Sequence, residues 1–371
     1  MKPRFKNILI LTGDAGAGHI ACSNALKAAF KENDPSLEVE IIDIFQFSPF
    51  SKKYDAILSI VSRSFIAKFI FDSIFKLIDK YEKGSKIAFP IVLKRIYKPT
   101  LELIKQRKPD LVVVNNPLAV EVVSKCREEC KFNYIVTVTD IATVIRWWAS
   151  PNADLIFSPS KESTERILNV SPDSNIVTGY YSLRKVDRLT MPEIMRYRED
   201  FCKLSFFNIS EPMILITGCG ISTIKIVRKI KGFIKKSDYQ FIILTGRDTA
   251  LESSLKDEFS DNKRIYIQGY TNKILTFFSM ADVIIAKPGA STTLEIEKVG
   301  QRAIFTETVG YQEVGNVEYL LKNPNFLYVG SNYDQVPQKI EELLKKEKIA
   351  YYGEMKDARA IVEYICTQMQ L

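Results

Sequence analysis

A chain of 371 residues that is 46% hydrophobic and 26% charged is long enough for two cores of roughly 150–200 residues each and too apolar to be disordered. Its six cysteines (Cys22, Cys126, Cys130, Cys202, Cys219 and Cys366) follow no framework spacing, which argues against a disulfide-stapled fold and for reduced cytosolic thiols. The formal net charge of +8 is unevenly spread: residues 52–98 hold eleven Lys and Arg against four acids, and the rest of the chain is close to neutral.

The first residues offer a basic start and then only Ile8-Leu9-Ile10-Leu11 as an apolar run, too short for a signal-peptide core. No stretch approaches 18 uncharged apolar residues, so no membrane span is expected and the protein is expected in the cytoplasm. Short β-branched runs then alternate with helical patterns, which predicts parallel sheets built from βαβ units. Strands are predicted at Ile8–Thr12, Val39–Ile44, Leu111–Asn115, Ile135–Thr139, Leu155–Ser158 and Ile176–Thr178. A second set follows at Met213–Thr217, Phe241–Thr245, Arg264–Gln268, Asp282–Lys287, Ala303–Thr306 and Phe326–Val329. Six and six is the count of two nucleotide-binding halves. Three strands end in Thr-Gly, at Gly13, Gly218 and Gly246, where ligands bind at the carboxyl edge of a doubly wound sheet. The boundary is placed in the polar stretch from Ser182 to Glu211, and a last helix, about Tyr352 to Met369, is expected to cross back. The organisation expected is an N-terminal Rossmann-like domain over 1–185, a C-terminal one over 205–350, and a returning segment over 351–371.

Segment 52–98 carries apolar pairs such as Ile57-Leu58, Phe65-Ile66, Ile74-Phe75 and Leu77-Ile78 at helical spacing with lysines between them. Two readings stand: an ordinary packed helix pair with solvated lysines, or a basic amphipathic surface resting on anionic lipid. No recognised nucleic-acid module accompanies it, so no nucleic-acid partner is expected. Cys126 and Cys130 lie four apart on a predicted helix, far in sequence from the single histidine, and read as packing rather than a zinc site.

Three motifs carry chemistry. In Thr12-Gly13-Asp14-Ala15-Gly16-Ala17-Gly18-His19, leading into a helix over Ile20–Phe30, the glycines permit close backbone approach to a ligand at a helix N-terminus. Their spacing is neither a dinucleotide fingerprint nor a phosphate loop. His19, with an ordinary pKa near ~6.5, suits a general base taking a proton from an acceptor hydroxyl; the plain alternative is a histidine that caps or packs. In Lys287-Pro288-Gly289-Ala290-Ser291-Thr292-Thr293-Leu294-Glu295, a Pro-Gly turn and small hydroxyl residues open a helix, which suits a diphosphate. Glu295, one turn on, suits ribose hydroxyls, although a capping acid would also fall there. In Gly310-Tyr311-Gln312-Glu313-Val314-Gly315-Asn316, Gln312 and Glu313 suit sugar hydroxyls, or simply begin a helix.

Taken together with Thr137-Val138-Thr139-Asp140 and Ser158-Pro159-Ser160-Lys161-Glu162, these motifs resemble, in order and spacing over nearly the whole chain, the monogalactosyldiacylglycerol synthase and processive diacylglycerol glucosyltransferase family. That family is related to the peptidoglycan N-acetylglucosaminyltransferase. The resemblance implies an α/β fold of the GT-B type, two Rossmann-like domains facing a cleft, with the acceptor on the N-terminal side and a UDP-sugar on the C-terminal side. It implies inverting transfer of a hexose, galactose or glucose, to a diacylglycerol-type lipid by an enzyme held peripherally at the inner face of the cell membrane. His19 matches the base, Gly18 its loop and Asp140 an acid near the acceptor; Gly16 lies in the same loop, and Asp14 or Asp140 is expected to help the base. Gly269 and Tyr270 match the uracil-side turn, Gly289, Ala290, Ser291 and Thr292 the diphosphate site, Glu295 the ribose ligand, and Gln312 with Glu313 the sugar contacts. Gly218, Gly246, Arg247, Lys287 and Asn316 complete the donor set. No metal or other cofactor is implied, since helix dipoles stabilise the leaving diphosphate.

The chain departs from the family at four places, one of them the short glycine loop Thr217-Gly218-Cys219-Gly220 that opens the second half. The histidine usual after the Thr-Asp motif is absent from Ile141-Ala142-Thr143-Val144-Ile145-Arg146-Trp147-Trp148. The usual Gly-x-Pro-Val-Arg reads Gly179-Tyr180-Tyr181-Ser182-Leu183-Arg184, and the second glycine of the Lys-Pro-Gly-Gly turn is Ala290. These bear on the acceptor more than the donor. The alternatives are a soluble acceptor or a UDP-sugar epimerase on the same fold, and a sensor that binds nucleotide sugar without turnover.

Overall fold

The computed structural model describes residues 5–13, 17–47, 82–218, 221–308, 310 and 313–368. Asp14, Gly16, Gln312 and residues 52–81 of the basic segment therefore lie outside the described residues. All twelve predicted strands are present, in two parallel six-stranded sheets. The first contains β1 (Asn7–Thr12), β2 (Glu38–Asp43), β3 (Leu111–Val114), β4 (Asn133–Thr137), β5 (Leu155–Ser158) and β6 (Ile176–Thr178), in the order β2-β1-β3-β4-β5-β6. The second contains β7 (Met213–Ile216), β8 (Gln240–Gly246), β9 (Ile265–Gly269), β10 (Val283–Ala286), β11 (Ala303–Thr306) and β12 (Phe326–Gly330), in the order β12-β11-β10-β7-β8-β9. The central strands Leu111-Val112-Val113-Val114, Met213-Ile214-Leu215-Ile216 and Val283-Ile284-Ile285-Ala286 are buried at every position. Helices covering both faces of a parallel sheet demand such continuous apolar runs.

The helices of the first half are α1 (Ala17–Asn33), α2 (Glu82–Arg107), α3 (Pro117–Glu129) and α4 (Lys161–Val170). Those that follow are α5 (Met191–Ser205), α6 (Ile221–Lys236), α7 (Thr249–Glu258), α8 (Ile274–Met280), α9 (Ala290–Val299), α10 (Val314–Leu320), α11 (Val336–Lys345) and α12 (Ala358–Gln368). Alternation along β1 divides the first core in two. Leu9 and Leu11 pack with residues of α2 and α3, while Ile8 and Ile10 pack with Leu26 and Phe30 of α1 and Ile361, Val362 and Ile365 of α12. Among the described residues no helix is long and apolar enough to cross a membrane.

The chain divides into two compact units. Unit 1 is Met1–Lys185, Gly310–Asn316 and Glu354–Leu371; unit 2 is Val186–Val309 and Val317–Gly353. Much of the stretch read as a linker is instead a helix, α5, of unit 2. Thr190 and Glu193 form a capping box at its start and Pro192 occupies its first turn, a combination that starts a helix in a polar sequence. Arg198 then ties it down through Asp282, 3.1 Å away. The last helix starts at Ala358, later than its apolar pattern suggests. Gly353 turns the chain at φ +61°, and the residues after it run extended: Lys356 N–H donates to Gly179 O at 2.8 Å and Tyr181 N–H to Lys356 O at 2.9 Å.

Candidate active site

Ligands of doubly wound sheets bind outside the carboxyl ends of the strands where the strand order reverses. In the first sheet this point lies between β1 and β3, and in the second between β7 and β10. The sequence motifs arrive at both.

At the first, α1 begins at Ala17, three residues earlier than the helix expected from the apolar pattern, so Gly18 and His19 stand in its first turn. His19 is half-buried. Its Nδ1 lies 2.8 Å from the main-chain carbonyl of Asn115, just past β3, and 3.0 Å from the hydroxyl of Thr139, past β4. The buried Asn115 side chain fastens the arrangement: Nδ2 donates to His19 O at 3.0 Å and to Ser23 Oγ at 2.8 Å. Ser23 in turn donates to His19 O at 3.1 Å. The next residue, Asn116, caps α3 by accepting from Leu118 N–H at 3.0 Å. Gly13 ends β1 under the ring of Phe45, with the Asn116 amide 2.8 Å from where a Cβ would stand, so only glycine fits this turn.

Asp140 follows Thr139. The indole N–H of the buried Trp148 donates to its Oδ2 at 2.6 Å. The residue as a whole is partly exposed, yet its carboxyl is enclosed deeply enough to decide its ionisation. Burial pushes its pKa up from 3.8 to about 7, the Trp148 hydrogen bond opposes this, and the charge of Glu313 adds to it. Predicted as part of the C-terminal domain, Glu313 and Asn316 belong instead to the compact cluster of unit 1, where both are buried. The cause is a close backbone approach. Gly315 N–H donates to Thr143 Oγ1 at 2.7 Å, and a Cβ on Gly315 would stand 2.7 Å from the Thr143 nitrogen.

At the second switch point the groups are mostly backbone. Gly218 ends the turn after β7 with no room for a Cβ, which would meet Ser222 Cβ at 2.8 Å and the Thr223 nitrogen at 2.9 Å. Past β10, Lys287 O accepts from Gly289 N–H at 2.8 Å. Gly289 caps α9 with no side-chain hydrogen bond and no acid in the first turn. A helix N-terminus opened by glycine, with no acid in its first turn, favours an anion. Ser291 and Thr292 are partly exposed there, and Glu295, one turn on, is 4% exposed. Gly246, at φ +65°, turns the chain out of β8. The guanidinium of the exposed Arg247 lies 5.1 Å from the ring centre of Tyr270, itself 62% exposed. Gly269 packs directly on the Glu252 carboxylate.

Sequence reasoning singled out His19, Asp140 and the α9 turn, but missed the part played by Asn115, Thr139 and Thr143 in fixing them. Asn115-Asn116-Pro117, an amide pair between a buried strand and a helix-starting proline, is the local signal that was available.

Two doubly wound parallel sheets in this arrangement define the GT-B glycosyltransferase fold. The crystal structure of Acinetobacter baumannii MurG matches it with a TM-score of 0.58 at 14% identity, over 98% of this chain and 100% of that one, a likeness that shows the fold. Residues 19–180 match the family described as monogalactosyldiacylglycerol (MGDG) synthase, and residues 213–360 the glycosyltransferase family 28 C-terminal domain. Processive diacylglycerol beta-glucosyltransferase of Bacillus licheniformis is 24% identical over 92% of this chain and 88% of its own length. Monogalactosyldiacylglycerol synthase 3, chloroplastic, of Arabidopsis thaliana is 24% identical over 86% of this chain and 70% of its own. The chain thus joins a monogalactosyldiacylglycerol synthase domain to a glycosyltransferase family 28 C-terminal domain.

Proposed function

We propose that this protein transfers a hexose, glucose or galactose, from a UDP-sugar to the free hydroxyl of a diacylglycerol-type lipid, with inversion at the anomeric carbon. The observation that carries the reading is His19, held by strand-end hydrogen bonds at the switch point of a sheet in a chain whose halves match the two families. His19 takes the hydroxyl proton as the lipid oxygen attacks the anomeric carbon. The bond from that carbon to the diphosphate oxygen breaks, and the charge developing on UDP is met by the N-terminal turn of α9. Glu295 holds the ribose hydroxyls, Arg247 with Tyr270 covers the uracil, and Gln312 with Glu313 contacts the sugar. No metal has a role in this reading.

The lipid acceptor places the enzyme at the inner face of the cell membrane. The eleven cations of residues 52–98 supply attraction to an anionic leaflet, on the order of 1 kcal/mol for each that reaches the surface.

The test is purified protein assayed against UDP-glucose, UDP-galactose and UDP-N-acetylglucosamine with diacylglycerol in anionic vesicles, reading glycolipid by mass spectrometry. One hexose should give product, and raised salt should reduce both vesicle binding and rate. UDP binding without product from any pair would instead leave a nucleotide-sugar-binding protein.

A further inference from the structure

We propose that the exposed face of helix α6 in unit 2 is a docking surface for anionic lipid headgroups, centred on Arg228, Lys229 and Lys236 around the bare Gly232. This goes beyond the membrane contact proposed for residues 52–98, and the choice of a lipid occupant rests on the reading of a lipid acceptor.

The positive charge of unit 2 is concentrated on this one helix. The unit holds 23 Lys and Arg against 20 Asp and Glu. Six of those cations and none of the acids lie within the 16 residues of α6, so the rest of the unit is net acidic. At 3.6 residues per turn, Lys225, Arg228, Lys229, Lys231, Lys235 and Lys236 fall within roughly 160° of the helix. Ile226, Val227, Ile230 and Ile234 pack into the core, which accounts for the apolar face but not for the cationic one.

Too few acids are at hand to neutralise that face. Glu258 serves both Lys231 and Lys235, and Glu307 serves Lys225. Arg228, Lys229 and Lys236 are all exposed and pair with no acid among the described residues. Lys235 and Lys236, in the last turn, suit the negative end of the helix dipole. Arg228 and Lys229 lie in the middle, one turn from Lys231 and Lys225, where like charges repel. A helix gains from such a face when an anion covers it.

Gly232 points the same way. Glycine in a helix interior is less favourable than alanine, and a positive φ or a crowded Cβ position is what otherwise demands it. Gly232 has neither: its φ is not positive, and a Cβ there would meet nothing within 4 Å. It stands one turn from Arg228 and one turn from Lys236. A headgroup phosphate seated on this bare backbone has a cation on either side. Phe233, the one aromatic residue of the helix, packs against Tyr239 and Phe241, so the face offers no platform for stacking nucleotide bases. A row of long, flexible cations on one straight helix instead matches the spread charge of a lipid leaflet.

The test is sedimentation of the full chain with vesicles of phosphatidylcholine, alone or mixed with phosphatidylserine, at low salt and without sugar nucleotide. The triple variant Arg228→Gln/Lys229→Gln/Lys236→Gln should bind the anionic vesicles about 100-fold more weakly than wild type. A control that removes the same charge from exposed positions elsewhere in unit 2, Lys203→Gln/Lys263→Gln/Lys273→Gln, should lose less than about threefold. Gly232→Glu raises helix propensity and sets an acid among the cations; it should melt no lower than wild type and bind about fivefold more weakly. An α6 triple variant that binds as the control does overturns the proposal and leaves the membrane role of residues 52–98 standing. A wild type indifferent to anionic vesicles overturns both and hands the face to an acidic protein. Because binding needs no turnover, loss confined to the α6 variants in a protein inactive with every donor would support this surface and sink the transferase reading alone.

Discussion

At the switch point of the first sheet the chemistry sits on side chains. His19, Thr139, Asp140 and Trp148 hold each other through directed hydrogen bonds of 2.6–3.0 Å. At the switch point of the second it sits largely in the backbone: a glycine with no room for a Cβ, a glycine at positive φ, and a helix opened by Gly289 with no side-chain cap. The same topology thus presents two kinds of surface. Moving a proton requires a ring fixed in tautomer and direction, which only side chains supply. Holding a diphosphate requires close approach and several N–H donors at once, which a helix end supplies without any ionisable group. The proposed division of labour follows this difference in material, and mutations on each side should break different steps.

The largest break is expected on the first side. His19→Ala should lower kcat by about 10²–10⁴-fold and leave the affinity for UDP within about twofold, measured by steady-state kinetics and calorimetry. Equal losses in both would mean that His19 belongs to the nucleotide site. On the second side, Glu295→Gln keeps the volume of a buried side chain and removes its charge. Hydrogen bonds to a charged group contribute about 1.5–3 kcal/mol, so UDP-sugar KM should rise by about 10–100-fold with kcat much less affected. A smaller effect is expected from Tyr270→Ala, which removes the partner of Arg247. Stacking on a base contributes about 1–3 kcal/mol where water is excluded. At a ring 62% exposed the low end applies, a rise in KM of about fivefold. An unchanged KM would move the uracil elsewhere.

The strands were legible because buried parallel strands are continuous β-branched runs that a local window detects. Helix α5 was not, since its charged, weakly apolar sequence imitates a linker until its capping box is noticed. His19 was legible as a lone histidine after three glycines. Its partners were not, because they lie 96 and 120 residues away in sequence and meet it only through the order β1-β3-β4. Pairing of that kind is set by how strands are sorted into a sheet, which no local pattern encodes. The same holds for Gly310–Asn316, which follow β11 in sequence and yet cluster with unit 1 through the bond between Gly315 and Thr143.

Asp140 gives the smallest and most specific way to sharpen the contrast. Burial and the charge of Glu313 outweigh the Trp148 hydrogen bond and lift its carboxyl to about 7 in the folded state, from 3.8 when unfolded. A raised pKa means that the folded protein binds this proton more tightly than the unfolded chain does. The resulting stabilisation is complete below about pH 4 and is lost as pH rises through about 7, where the carboxylate becomes charged in its enclosed position. Asp140→Asn keeps an acceptor for the Trp148 N–H and cannot ionise. Thermal unfolding followed from pH 5 to pH 8 should therefore find the variant more stable than wild type at pH 8, with the gap closing toward pH 5. A gap of the same size at both ends would show that Asp140 is ionised throughout the range. The second switch point, where the groups are chiefly backbone, offers a control: Tyr270→Ala should shift the unfolding curve by the same amount at every pH.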